Sequence, residues 1–232
     1  MGPVAKAVCA ASAAGLSVAG PARAAEAPAI AFNLGAASDY EFRGISQTDN
    51  KGEVFGGADL TFEDIGYLGA WLSNVDFRNG VRGEYDLYGG VRPRVGPVTV
   101  DLGFVRYGYT HQPSGVSEDY TEWKVAPSMA LGPATFGLAY FHSDDFLGGT
   151  GAANYYEINA SAPIGGSAFS VSGALGRQQV KGPRDYATWN LGVGYSLNSR
   201  VGFDLRYWDT DSHGLGSAYR SRIVLGVKAA FP

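Results

Sequence analysis

The chain is nearly without cysteine. Its single one among 232 residues, Cys9, lies in an N-terminal apolar stretch, so the chain beyond that stretch has neither disulfide nor thiol. Lys6-Ala7-Val8 ahead of Cys9 is not a lipoprotein box, which argues against a lipid anchor. Histidine is also scarce: His111, His142 and His213 stand at no metal-ligand spacing. Beyond the N-terminus no segment reaches ~18 consecutive apolar residues, which excludes a transmembrane helix. Positive charge is in deficit, with 18 basic against 22 acidic side chains, and this argues against a nucleic-acid partner.

Residues 1–24 read as a cleaved secretion signal. One cation, Lys6, precedes an apolar run from Val8 to Gly20 that is too short to span a bilayer. The small residues of Ala22-Arg23-Ala24 then suit a signal peptidase, with Ala25 as the mature N-terminus. Residues 25–232 are long enough for one domain and need no second.

What is abundant is glycine, 34 residues, about twice the usual share of about 7% and without fixed repeat. The other strong signal is a period of two. In Tyr219 to Phe231, Ile223, Leu225, Val227, Ala229 and Phe231 alternate with Arg222, Val224, Gly226, Lys228 and Ala230. A strand that long, apolar on one face and polar on the other with an aromatic end, fits a transmembrane β-barrel. The same alternation marks further strands near residues 30–43, 53–63, 67–77, 84–94, 98–108, 120–130, 134–142, 154–162, 167–177, 186–196 and 200–209, twelve with the last. Short turns rich in Gly, Pro and Asn alternate with longer polar links throughout. That is the plan of an antiparallel up-and-down barrel, with short periplasmic turns and longer extracellular loops.

A soluble secreted β-barrel also alternates, but twelve strands with apolar faces inward would enclose a void. Aromatics favour lipid outside. Tyr40, Phe42, Phe77, Tyr85 and Tyr207 fall near outer strand ends, and Phe62, Tyr67, Tyr195 and Phe231 near inner ends, as two interfacial girdles. Pro93 and Pro127 each remove a ladder donor and make the fourth and sixth strands the least secure.

Ser38-Asp39-Tyr40-Glu41-Phe42-Arg43-Gly44-Ile45-Ser46-Gln47-Thr48, then Gly56-Gly57 and Trp71-Leu72-Ser73-Asn74-Val75-Asp76-Phe77, resembles the bacterial TorF-type porin family. The resemblance implies a Gram-negative outer-membrane barrel and passive solute passage. The motif residues Asp39, Glu41 and Arg43 fall on the polar face of the first strand, and Asn74 and Asp76 on that of the third, where they would line the lumen.

The expected function is a narrow diffusion channel, with outer-membrane lipid, lipopolysaccharide and small polar solutes or ions as partners and the oligomeric state left open. Expected pore-lining residues are Asp39, Glu41, Arg43, Asp59, Asn74, Asp76, Glu84, Asp86, Arg206, Arg220 and Arg222. Arg43, Arg206, Arg220 and Arg222 would face Asp76, Glu84 and Asp86 across the opening and set up a transverse field. The alternative is local pairing, with Arg220 or Arg222 on Asp39 or Glu41. A filled barrel acting as scaffold, adhesin or receptor through its outer loops is the rival function, and a hydrolase a remoter one. No catalytic, cofactor or metal site is expected. His142 and Ser143 are adjacent in a strand and point to opposite faces, and Asp209 to Gly214 begins like a calcium loop but lacks its later ligands.

Overall fold

The computed structural model describes residues 29–62, 65–115, 117–181 and 185–232; the expected signal segment lies outside them. Its strands are β1 (Ala29–Ala37), β2 (Glu41–Phe42), β3 (Ile45–Ser46), β4 (Glu53–Phe62), β5 (Gly66–Asn74), β6 (Gly83–Val91), β7 (Arg94–Val95), β8 (Val98–Thr110) and β9 (Tyr120–Leu131). They continue as β10 (Ala134–Ser143), β11 (Ala153–Pro163), β12 (Phe169–Val180), β13 (Tyr186–Ser196), β14 (Val201–Thr210) and β15 (Arg222–Phe231). Among the described residues no helix is long and apolar enough to cross a membrane.

Each long strand pairs with its neighbours in antiparallel register, and β1 closes on β15 with Phe32 opposite Phe231. β6 pairs with β8, so β1, β4, β5, β6 and β8 to β15 form one closed ring of twelve. Closure leaves no unpaired edge, as a sheet in lipid requires. β7 is a two-residue extension on β8 at the turn after β6.

Alternation sets the two faces. Ile30, Leu34, Leu72, Leu191, Ile223 and Leu225 point outward and are each more than half exposed. On the outside, Phe169, Tyr195 and Phe203 stack at one end of the barrel, with centroids 4.9 and 6.5 Å apart. Tyr85, Trp123, Tyr156 and Tyr207 stand exposed toward the other end. Glycines let large rings lie flat on the wall: the Tyr88 ring covers Gly69, where any β-carbon would collide with it. Pro127 acts as expected of a proline inside a ladder. The β9–β10 pairing lapses between Ser128 and Val125 and resumes beyond it.

Several boundaries differ from the sequence reading, the third strand for one ending at Asn74 and not Phe77, and two of them shape the lumen. The first strand leaves the wall at Ala37 rather than Arg43, and the last begins at Arg222, because Ser217–Tyr219 form a 3-10 turn. The residues cut from the first strand form the feature that organises the lumen.

Candidate functional site

Residues 38–52 do not continue the wall. After the Ser38 N–H bonds the Leu225 carbonyl, the chain turns inward and pairs with itself, Glu41 opposite Ser46 and Phe42 opposite Ile45. Arg43 and Gly44 make the two-residue turn, with φ of 53° and 80°. Two positive φ angles are what a tight hairpin of matching twist needs, and glycine supplies the second freely. At Gly44 space also demands it, since a β-carbon there would overlap the Thr188 hydroxyl. The Asp39 carboxylate ties the hairpin base by accepting from the Ser46 and Thr48 hydroxyls at 2.7 and 2.6 Å.

The hairpin crosses the barrel. Tyr40 packs edge-on to Trp71 of β5 with centroids 5.3 Å apart, and its hydroxyl donates to Glu84 of β6 at 2.8 Å. Phe42 stands edge-on to Tyr107 of β8 at 5.7 Å. On the far side the Arg43 guanidinium forks onto Glu122 of β9 at 2.8 and 2.6 Å and donates to Gln178 of β12 at 2.9 Å. Its Cζ lies 4.9 Å from the ring centroid of Phe141 on β10 and 4.2 Å from that of Tyr155 on β11. Arg222 of β15 reaches back to Asp39 and Glu41, both at 2.9 Å. Arg43 is 4% exposed, Tyr155 2%, and Glu122 and Gln178 1%. At this level, in the half bearing the long loops, the interior is packed closed to water.

Below the hairpin the lumen is polar and wetter. Asp101 accepts from Tyr67, Lys124 and Arg92 at 2.7, 2.9 and 3.1 Å, and Tyr88 donates to Asp59 at 2.6 Å. Opposite them Arg206 binds Asp204, Asn190 and Ser172 at 3.0, 2.6 and 2.8 Å. The Arg92 and Asp204 side chains remain 30% and 43% exposed.

Asp59, Glu84, Asp86, Arg206 and Arg222 therefore turn into the lumen from the wall. Asp39, Glu41 and Arg43 lie in the lumen too, but on the hairpin and not on the first strand. Three expected residues are placed elsewhere. Asn74 faces out at the rim, where its amide bonds Val54 and Gly52, because β5 turns Trp71 and Ser73 inward. Asp76 lies beyond β5 in a rim cluster with Lys51 at 3.0 Å and Arg82 at 2.8 Å. Arg220 is exposed in the outer loop before β15 and offers only its carbonyl to Arg222. The expected transverse field gives way to local pairing, Arg43 with Glu122 and Arg222 with Asp39 and Glu41.

The girdle reading needs the same revision. Tyr40, Phe42 and Tyr67 are buried inside the barrel, and Phe77 packs on Tyr109 at 5.1 Å. Sequence reasoning passed over the inward tyrosines Tyr107, Tyr109, Tyr120 and Tyr155 and over Gln178, all hairpin contacts or their supports. Their signal was present as rings at alternate positions on polar faces, such as Tyr107 and Tyr109.

At the rim, Lys51 hydrogen-bonds Asp76 and holds its carboxyl below the usual range, and Arg78 does the same to Asp49. On the outside, His142 lies 2.9 Å from Asn154 and 3.2 Å from Asp144, while Ser143 is buried. His213 contacts Asp209 at 2.6 Å.

A closed twelve-stranded ring, apolar outside, polar inside and crossed by its first loop, is a barrel of the porin type. The chain belongs to the family described as "Bacterial protein of unknown function (Gcw_chp)", which it matches over residues 21–231. Among solved structures it is similar to a KdgM porin, with 9% identity, TM-score 0.63, and coverage of 87% of this chain and 99% of that one. It is also similar to the NanC porin, with 11% identity, TM-score 0.58, and 88% and 100% covered. A second KdgM structure, described as a complex with disordered oligogalacturonate, gives 8% identity and a TM-score of 0.61 over 89% and 100%. At such identities the likeness is one of fold. No curated protein matches the chain by sequence.

Proposed function

We propose that this protein is a porin-like channel of the bacterial outer membrane, passing small polar solutes or ions, with the inner hairpin as its constriction and gate. The observation that carries the reading is the hairpin itself. It is a loop segment folded into a polar lumen and held by side-chain contacts to the wall strands, not by a backbone ladder. A plug attached in that way can leave without opening the ring. The KdgM and NanC neighbours are porins, and this supports the reading at the level of fold. The TorF-type resemblance points the same way, although the family that the match establishes is Gcw_chp. Residues 1–24 are read as the signal that carries the chain to that membrane, and residues 25–232 as the barrel.

The fully packed level around Arg43 favours a second reading, a filled barrel that presents its outer loops. Conductance separates the two. In a planar bilayer the mature chain is expected to show sparse openings, and a variant with residues 39–48 replaced by a short Gly-Ser link to show frequent, larger ones. A folded, membrane-inserted variant that carries no current would leave the filled scaffold standing instead.

A further inference from the structure

Charge beside the hairpin is lopsided. Three buried carboxylates there have cations: Arg43 takes Glu122, and Arg222 takes both Asp39 and Glu41. Four more, Glu53, Glu84, Asp86 and Glu157, are each more than nine-tenths buried and form no ion pair among the described residues. Glu84 accepts from the Tyr40 hydroxyl, Glu157 from Tyr155 and Asn159, and Glu53 from Ser73. Asp86, between Trp71 and Tyr107 on the wall, has one carboxylate oxygen with no hydrogen-bond partner.

The positive side is already engaged. The terminal nitrogens of Arg43 are taken by Glu122 and Gln178, and those of Arg222 by Asp39, Glu41 and the carbonyls of Ser217 and Ala218. An anion entering here would find only the buried Nε of Arg43 open among the arginine donors, and unmatched carboxylates around it. A cation would meet the reverse. Buried unpaired charge is costly, so these carboxylates carry charge only where water or a passing cation reaches them.

Resting on the channel reading, we infer that the constriction is a cation filter. Ions that pass the hairpin move along the wall of β4, β5 and β6, past Glu53, Glu84 and Asp86, and the class passed is small inorganic cations. Low-dielectric walls and narrow bore focus the field of these carboxylates on the passing ion.

The test is the reversal potential of single barrels in a KCl gradient around 0.1 M, for the mature chain, for the variant lacking the hairpin, and for Glu84→Gln with Asp86→Asn. The double substitution removes charge that has no ion-pair partner and leaves Tyr40 an oxygen to donate to, so the barrel is expected to assemble. The first two proteins are expected to prefer K⁺ over Cl⁻, and the double variant to lose that preference several-fold. The difference shrinks as the Debye length falls from about 10 Å at 0.1 M to about 3 Å at 1 M. Conducting barrels that prefer Cl⁻ or neither ion, or a double variant with unchanged preference, overturn the inference and leave the channel reading intact. Silence from both the mature chain and the hairpin-less variant removes the channel reading and the filter with it.

Discussion

Arg43 concentrates the energetics of the site. Its backbone occupies the left-handed region, unusual for a residue with a β-carbon, and its side chain completes a bidentate ion pair with both partners at most 2% exposed. Removing one partner of such a pair costs roughly 3–5 kcal/mol, because the other charge stays buried, whereas replacing both with neutral groups is often nearly neutral. Arg43→Gln is therefore expected to undock the hairpin, and Arg43→Gln combined with Glu122→Gln to restore much of the docking. Amide exchange at Gln47, whose N–H bonds the Tyr40 carbonyl, reads the difference. Equal protection in wild type and single variant would show that the pair does not hold the hairpin. On the wall, Leu225 is 55% exposed on the outward face, while Gly226 faces the lumen and an added β-carbon there meets nothing nearer than 3.8 Å. An arginine facing lipid at the bilayer midplane costs about 2–4 kcal/mol. Leu225→Arg is expected to block assembly and Gly226→Arg to permit it, judged by heat-resistant migration of the folded barrel; equal assembly would mean the faces are reversed.

The hairpin, of all the elements, was the least legible in the sequence. Wall strands could be read because an apolar residue recurs at every second position and turns separate the runs. Residues 39–46 keep the same period, Glu41 and Arg43 on one parity and Tyr40 and Phe42 on the other, so an inner hairpin looks like four more wall pairs. Only Arg43-Gly44 hints at the turn. β5 misled for a related reason: Trp71 outweighs Leu68 and Leu72 in size, yet it is Trp71 that faces inward, against Tyr40. An aromatic cluster inside a barrel reverses the rule that large apolar residues face lipid. The rim beside this element carries a pH dependence whose sign is set by its ion pairs. Asp49 and Asp76 are held below the usual carboxylate range, so their contribution is present above the unfolded value of about 3.9 and is lost as pH falls through the lower folded value. The rim is open to water and the effect is small. Amide shifts of Asp76, whose N–H bonds the Gln47 carbonyl, are expected to move below about pH 4 and to hold still above it. Movement centred near neutral pH would contradict this assignment.

At the scale of the molecule, a ring closed by β1 against β15 makes assembly all or none, since the last strand must meet the first before any edge is satisfied. The reading of residues 1–24 as a signal implies that terminal sequencing of the membrane fraction begins at Ala25, and recovery of the mature chain in the soluble periplasm would contradict a barrel in lipid. Barrel and plug are separate objects on this account: the wall keeps the ring, and the hairpin decides whether the ring conducts. The described residues contain no cysteine, so an introduced pair reports alone. Gln47→Cys with Asp76→Cys joins the returning arm of the hairpin to the segment after β5, at a point where the Asp76 N–H already bonds the Gln47 carbonyl. Single-channel current of this variant, recorded oxidised and then after reduction, tests the gate most directly. The account predicts a silent barrel while the cross-link is intact and openings once it is reduced; openings undiminished by an intact cross-link would contradict it.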